Sequence, residues 1–212
     1  MAGKTEFSTD FEKNKKRIDE LLKVDQSFDL LYRVVMIGGK KACFYFIDGF
    51  TKDETMLKLM DSFLNISADD MPEDATSFST SCIPYVEVDI LGDFDSIFKN
   101  LLSGVTCLLI DGYEAAIAID CRTYPSRSIE EPDKDKSLRG SRDGFVETIV
   151  FNTALMRRRI RDPHLIMEMY EAGTSTRTDV ALCYMSDRVD RELLTTCLLY
   201  TSPSPRDGLL SR

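Results

Sequence analysis

The stretch LLYRVVMIGGKKACFYFIDGF, Leu30 to Phe50, decides the fold class. Two runs rich in β-branched and aromatic residues flank Gly38-Gly39-Lys40-Lys41, the signature of strand, tight turn and strand. A phosphate-binding loop would need GxxxxGK, then Ser or Thr, then a helix. Here a second strand follows Lys41, so the segment reads as a hairpin.

Upstream, residues 9 to 24 read as an amphipathic helix, with Thr9 and Glu12 at capping-box spacing and Phe11, Ile18, Leu21 and Leu22 forming an apolar stripe. The polar face suits a helix packed on a domain, or an arm that binds a partner. Downstream, Thr51 and Glu54 repeat the capping spacing, and Met56, Leu59, Met60 and Phe63 recur at helical intervals. Residues 66 to 84 are polar and read as a loop. DFDSIFKNLLSG then forms a helix ended by Gly104, and VTCLLIDGYEAAIAIDC forms a second hairpin that turns at Asp111-Gly112.

Tyr124 to Ser141 is charged, contains proline and lacks apolar periodicity, which predicts a linker over 125–141. After it, Asp143 can cap a helix from about Gly144, with Phe145, Ile149, Asn152, Met156 and Ile160 on one face. HLIMEMY and DVALCYM follow as strands, and DRVDRELL opens a further helix. The expected architecture is mixed α/β: a helix over 1–26, one small α/β subdomain over 27–124, the linker, and the start of a second over 142–196.

Composition narrows the function classes. Of 212 residues, 36 are acidic and 27 basic, for a net charge of -9. Phosphate backbones demand a broad basic surface, so general nucleic-acid binding is excluded. Six cysteines lie scattered without a CxxC pair, and Cys43, Cys107, Cys121 and Cys183 sit among apolar strand-like residues, which predicts buried, reduced thiols. No run approaches the roughly 20 apolar residues that span a bilayer.

With a single histidine, His164, no multi-histidine metal site can form, and no GxSxG, HExxH, GxGxxG or Walker motif is present. IDGF at Ile47 and IDGY at Ile110 place aspartates at strand ends. They read as turns, although a metal-dependent enzyme could use them. The expectation is a chain without catalytic residue, cofactor or metal site.

The local exception to the acidic charge is Arg157-Arg158-Arg159. Successive helical residues lie about 100° apart, so three arginines fan over roughly 200° and cannot grip one phosphate. At the last turn of a helix they face the negative end of its dipole.

EEPDKDKSLRGSRDGFVETIVFNTALMRRRIRDPHL, Glu130 to Leu165, resembles the hallmark segment of the spore germination protein A family, the A subunits of nutrient germinant receptors. Glu131-Pro132, Arg139-Gly140, Gly144-Phe145, Glu147, Asn152, Leu155, Arg157 to Ile160 and Pro163 carry the match. AGTSTRTDVALCYM continues it, and the Asp29 to Phe50 stretch resembles the family's first domain. Ser141 departs from the usual proline, and Lys134 to Lys136 depart where an acidic residue is expected.

The resemblance implies a cytosolic N-terminal region of two α/β parts, ahead of a membrane domain in the spore inner membrane. It implies B and C receptor subunits as partners, homo-oligomerisation and a role in a nutrient-gated ion channel. Arg157, Arg158, Arg159, Glu147 and Asn152 become candidate interface residues, since arginine suits bidentate contact with carboxylates. The alternative is a free-standing cytosolic solute-binding module.

The final CLLYTSPSPRDGLLSR, from Cys197 to Arg212, changes character abruptly. Cys197 to Asp207 match the translation of a transposase-type sequencing adapter, and Gly208 to Arg212 fit a barcode. The expectation is that natural coding sequence ends near Thr196.

Overall fold

The computed structural model describes residues 7–85, 87–124 and 144–201; the 125–141 linker, Asp143 and the final 202–212 lie outside the described residues. Six helices and seven strands occur among them.

The Leu30 to Phe50 hairpin forms as read. Strand β1 (Leu30–Ile37) pairs antiparallel with β2 (Lys40–Ile47), and Ile37 opposite Lys40 closes a two-residue turn. Gly38 and Gly39 both have positive φ, 52° and 78°, the backbone a type I′ turn requires. The second hairpin, β4 (Thr106–Ile110) and β5 (Ala116–Ile119), turns through Gly112 at φ 83°. Strand β3 (Val88–Leu91) adds to β5, giving an antiparallel sheet of order β1-β2-β4-β5-β3.

Helices cover both faces. On one lie α1 (Phe11–Leu22) and α4 (Phe94–Leu102), whose Phe11, Ile18, Leu22, Ile97 and Leu101 share a core with Leu30, Tyr45, Cys107 and Leu109. On the other lie α2 (Asp53–Leu64) and α3 (Ala75–Ser81), whose Leu59, Phe63 and Phe78 pack on Ile37, Phe44, Leu108 and Ile117. Sandwiched strands need no polar alternation, so β4 and β5 are buried throughout.

A second unit follows. Helix α5 (Ile149–Arg159) precedes a two-stranded antiparallel sheet of β6 (Leu165–Ala172) and β7 (Thr178–Met185), then α6 (Arg191–Thr201). A mixed α/β chain was the expectation, and this is one.

Local details differ from the sequence reading. Helix α1 is capped by Asp10, whose carboxylate accepts from the Lys13 N–H at 3.1 Å, while the Thr9 carbonyl is taken by the Gly112 N–H. Helix α2 starts after Lys52 with no side-chain cap, because Thr51 is drawn into a bridge with Arg122. The 66–84 segment is not all loop: Asp74 caps α3 through the Ser77 N–H at 2.8 Å. Strand β3 was not foreseen. Helix α5 begins at Ile149 rather than Gly144, and it buries Thr153, Ala154 and Arg157 instead of the Phe145, Ile149, Asn152, Met156 and Ile160 face. Phe145 and Ile160 are exposed.

Candidate functional site

The expected arginine turn lies where the two units meet. Arg157 points inward and is 0 % exposed, as is Asp29 at the foot of β1. Its Nε donates to Asp29 Oδ2 at 2.7 Å and its Nη2 to Asp29 Oδ1 at 3.0 Å, a bidentate fork. The remaining guanidinium hydrogens reach the Asp162 carbonyl (3.1 Å), the Leu165 carbonyl (2.9 Å) and Ser27 Oγ (3.2 Å). Ser27 Oγ donates to Asp29 Oδ1 at 2.6 Å and accepts the Met167 N–H at 3.0 Å. The Phe28 N–H donates to the Met167 carbonyl at 2.9 Å.

Taking two charges out of water costs several kcal/mol per ion, which is repaid only when geometry is good and every remaining hydrogen is satisfied. Here the carboxylate is gripped by a two-point fork, and the guanidinium reaches three further acceptors. The network therefore fixes one register between the foot of β1 and β6, because sliding β6 by a residue would take the Leu165 carbonyl from Arg157 and the Met167 N–H from Ser27.

Arg158 takes a different direction, as the 100° step requires. Its guanidinium carbon stands 4.2 Å from the centroid of the Tyr124 ring, which meets Phe50 edge-on at 5.4 Å. The Tyr124 hydroxyl donates to the Ser103 carbonyl at 2.9 Å and accepts from Arg122 at 3.2 Å. Arg158 thus holds α5 on the first unit through a contact that shares no partner with Arg157. Arg159 is exposed.

Between these contacts α5 comes close to the Asp48-Gly49 turn. A Cβ on Gly49 would lie 3.2 Å from both Ala154 Cβ and Val150 Cγ1, and Gly49 has φ 79°. The IDGF aspartate belongs to this turn. Burial pushes the half-buried Asp48 carboxyl up; the Gly49 N–H opposes this, and the Asp29 and Asp53 carboxylates add to the rise.

The other expected site residues serve locally. Asn152 accepts the Val146 N–H and donates to the Val146 carbonyl, both at 2.7 Å, ordering the approach to α5. Glu147 is exposed on that approach. The structure brings Arg157 and Arg158 onto the junction, leaves Arg159 and Glu147 at the surface, and withdraws Arg157 from any contact with a neighbouring chain. Ser27 and Asp29 were missed as partners; the visible signal was a lone acid directly before an apolar strand.

The Ser27 hydroxyl and the Asp29 carboxylate pair at the junction, but at 2 % and 0 % exposure neither faces solvent. His164 Nδ1 lies 2.9 Å from Asp162 Oδ1 in an exposed turn. Cys43, Cys107 and Cys121 are buried and form no disulfide, Cys183 is only half-buried, and burial pushes the Cys43 and Cys107 thiols up to about 12. Among the described residues, no group of three or more His, Cys, Asp or Glu side chains could hold a metal ion. No helix among them is long and apolar enough to cross a membrane.

Comparison with known proteins adds the following. The sequence profile of the Bacillus/Clostridium GerA spore germination protein family matches residues 16–198. Stage V sporulation protein AF of Bacillus subtilis (strain 168) is 33% identical over 183 residues, covering 86% of this chain and 37% of the relative. Spore germination protein KA of the same strain is 28% identical over 184 residues, covering 84% of this chain and 34% of the relative. The chain spans about a third of the length of these relatives. The crystal structure of the N-terminal domain of the A subunit of the Bacillus megaterium spore germinant receptor GerK3 is similar in fold. Its TM-score is 0.70 at 19% identity, over 98% of this chain and 76% of that one.

Proposed function

Because the chain belongs to the Bacillus/Clostridium GerA spore germination protein family, we propose that it is the N-terminal region of an A-type subunit of a spore nutrient germinant receptor. The observation that carries this is the family match across residues 16–198, which takes in both units and the junction. In this reading the region lies on the cytosolic side of the spore inner membrane and is not an enzyme. A membrane domain encoded downstream contributes to an ion pathway opened by nutrient. The subunit assembles with B and C subunits and with further copies of itself.

The buried Arg157 network supports a mechanical role. A junction that tolerates one register passes a displacement of α5 to the foot of β1 as a rigid-body movement instead of absorbing it. Arg159 and Glu147, both exposed, are then the candidates for contact with neighbouring subunits.

Spores in which the source gene is disrupted should fail to lose refractility with at least one amino acid or sugar, and recover when the gene is restored. Mutant spores that respond normally across the nutrient panel would refute the reading. The membrane part is tested separately by reading the source DNA past the Thr196 codon, where several apolar spans of about 20 residues are required.

A further inference from the structure

Helix α2 leaves an apolar stripe uncovered and surrounds it with carboxylates. Leu57 and Leu64 are 68 % and 55 % exposed, among the most exposed large apolar side chains described. At 100° per residue, Asp53, Leu64, Leu57 and Asp61 fall within an arc of about 80°, beside the buried stripe of Leu59, Met60 and Phe63. The helix therefore has two apolar faces, and this chain covers one of them.

The charge around the open stripe is almost all of one sign. Residues 52–74 carry seven acids and two lysines. Asp53, Asp61, Asp69, Asp70 and Glu73 are exposed, and among the described residues none of them pairs with a cation. Asp61 stands in the last turn of α2, beside the negative end of the helix dipole, and no basic residue shares that turn. Both features cost the free chain stability: leucine lies in water, and an acid stands where a cation is favoured. A partner that brings apolar side chains and cations together relieves both.

The acids beyond α2 are held in place. Ser67 Oγ donates to Asp70 Oδ2 at 2.7 Å, and the Tyr113 hydroxyl donates to the Pro72 carbonyl at 2.6 Å. Met71 fills the open side of Gly38, where a Cβ would meet it at 2.8 Å. An arriving ligand meets carboxylates on a backbone that is already fixed, which limits the ordering cost of binding.

We propose that the Leu57–Leu64 face of α2 docks a basic amphipathic helix of a partner protein, whose apolar side chains cover the two leucines and whose lysines or arginines reach Asp53, Asp61 and the Asp69-Asp70 loop. Charge excludes the other occupants. An anionic lipid surface is repelled by these carboxylates, and a second copy of this chain brings a net charge of -9. The inference concerns contact alone and stands apart from the germination reading.

The probe is a peptide of about 14 residues built only of leucine and lysine, with leucines at i, i+3, i+4 and i+7, beside a control with glutamate for lysine. Anisotropy of the labelled peptide is followed as the full chain is added at several salt concentrations. The lysine peptide should bind, more weakly as salt rises, and the glutamate peptide should not. Leu57→Ser and Leu64→Ser should each weaken binding at least about tenfold, the loss expected for leaving one leucine uncovered. Asp53→Asn combined with Asp61→Asn should weaken binding and flatten its salt dependence. Ile90→Ser removes an apolar side chain that is 39 % exposed between Glu87 and Asp89 on β3, and it should change nothing. Leu57→Gln and Leu64→Gln repeat the test if a serine variant loses far-UV circular dichroism.

Leucine variants that bind as wild type does, a loss in Ile90→Ser equal to theirs, or binding that ignores salt each overturns the proposal. Sedimentation that shows copies of the chain parting in Leu57→Ser or Leu64→Ser gives the stripe to a second copy and overturns it too. So does binding to anionic phospholipid vesicles that those two variants abolish.

Discussion

Replacing Arg157 with methionine keeps most of the side-chain volume and removes every hydrogen bond that holds α5 to the foot of β1. Asp29 loses both of its contacts to the guanidinium and keeps only the Ser27 hydroxyl, at 0 % exposure. An uncompensated buried charge of this kind costs about 3–5 kcal/mol, against a total of about 5–15 kcal/mol for an ordinary domain. Urea unfolding at neutral pH, followed by far-UV circular dichroism, should therefore show a large fall in midpoint for Arg157→Met. Adding Asp29→Leu removes the stranded charge and should recover most of the loss, since apolar replacements of a whole buried pair are often neutral. A loss below about 1 kcal/mol for Arg157→Met, or a double variant no better than the single, would refute the account of the junction.

Other expectations follow from the same geometry. Gly49→Ala adds a Cβ at 3.2 Å from Ala154 and Val150 on a backbone of φ 79° and should cost at least about 1 kcal/mol, read by thermal unfolding. The native Asp48 carboxyl is raised, so its penalty is absent below the ordinary carboxylate range and sets in as pH rises through the native value. Asp48→Asn should thus stabilise the protein at neutral pH and leave it unchanged in acid; melting curves across pH read this. Asp74 is lowered by the Ser77 N–H and hydroxyl, so its capping contribution is present above the carboxylate range and fades as pH falls through the native value. Asp74→Ala should lower the melting temperature at neutral pH, and the gap should close on acidification. Cys43 and Cys107 should stay unmodified by a thiol reagent until the protein unfolds.

Both hairpins were legible because their turns carry residues that tolerate positive φ between runs of β-branched and aromatic side chains. Helix α4 was legible from its apolar spacing and from Gly104, which follows it. Helix α3 was hidden because Ala75 and Phe78 are its only buried residues and the rest is Ser and Thr, which usually mark loops. Strand β3 is four residues long and was too short to show a period. Helix α5 misled for a different reason: sequence periodicity assigns charge to solvent, yet its most buried large side chain is Arg157. That inversion depends on Asp29, which no local window around residue 157 contains.

Asp29 and Arg157 lie 128 positions apart. At about 5–20 residues per second, a ribosome needs ~6–26 s to supply the arginine after the aspartate has emerged. During that interval the first sheet can assemble, but the carboxylate at its foot must stay in water, with Ser27 and Phe28 still unclaimed by β6. A nascent chain that stops short of α5 would keep an open, hydrated seam where the finished protein has a sealed one. The ion pair thereby records that synthesis has passed Arg157, and a protease that recognises loose strand edges has a physical basis for telling an interrupted product from a complete junction.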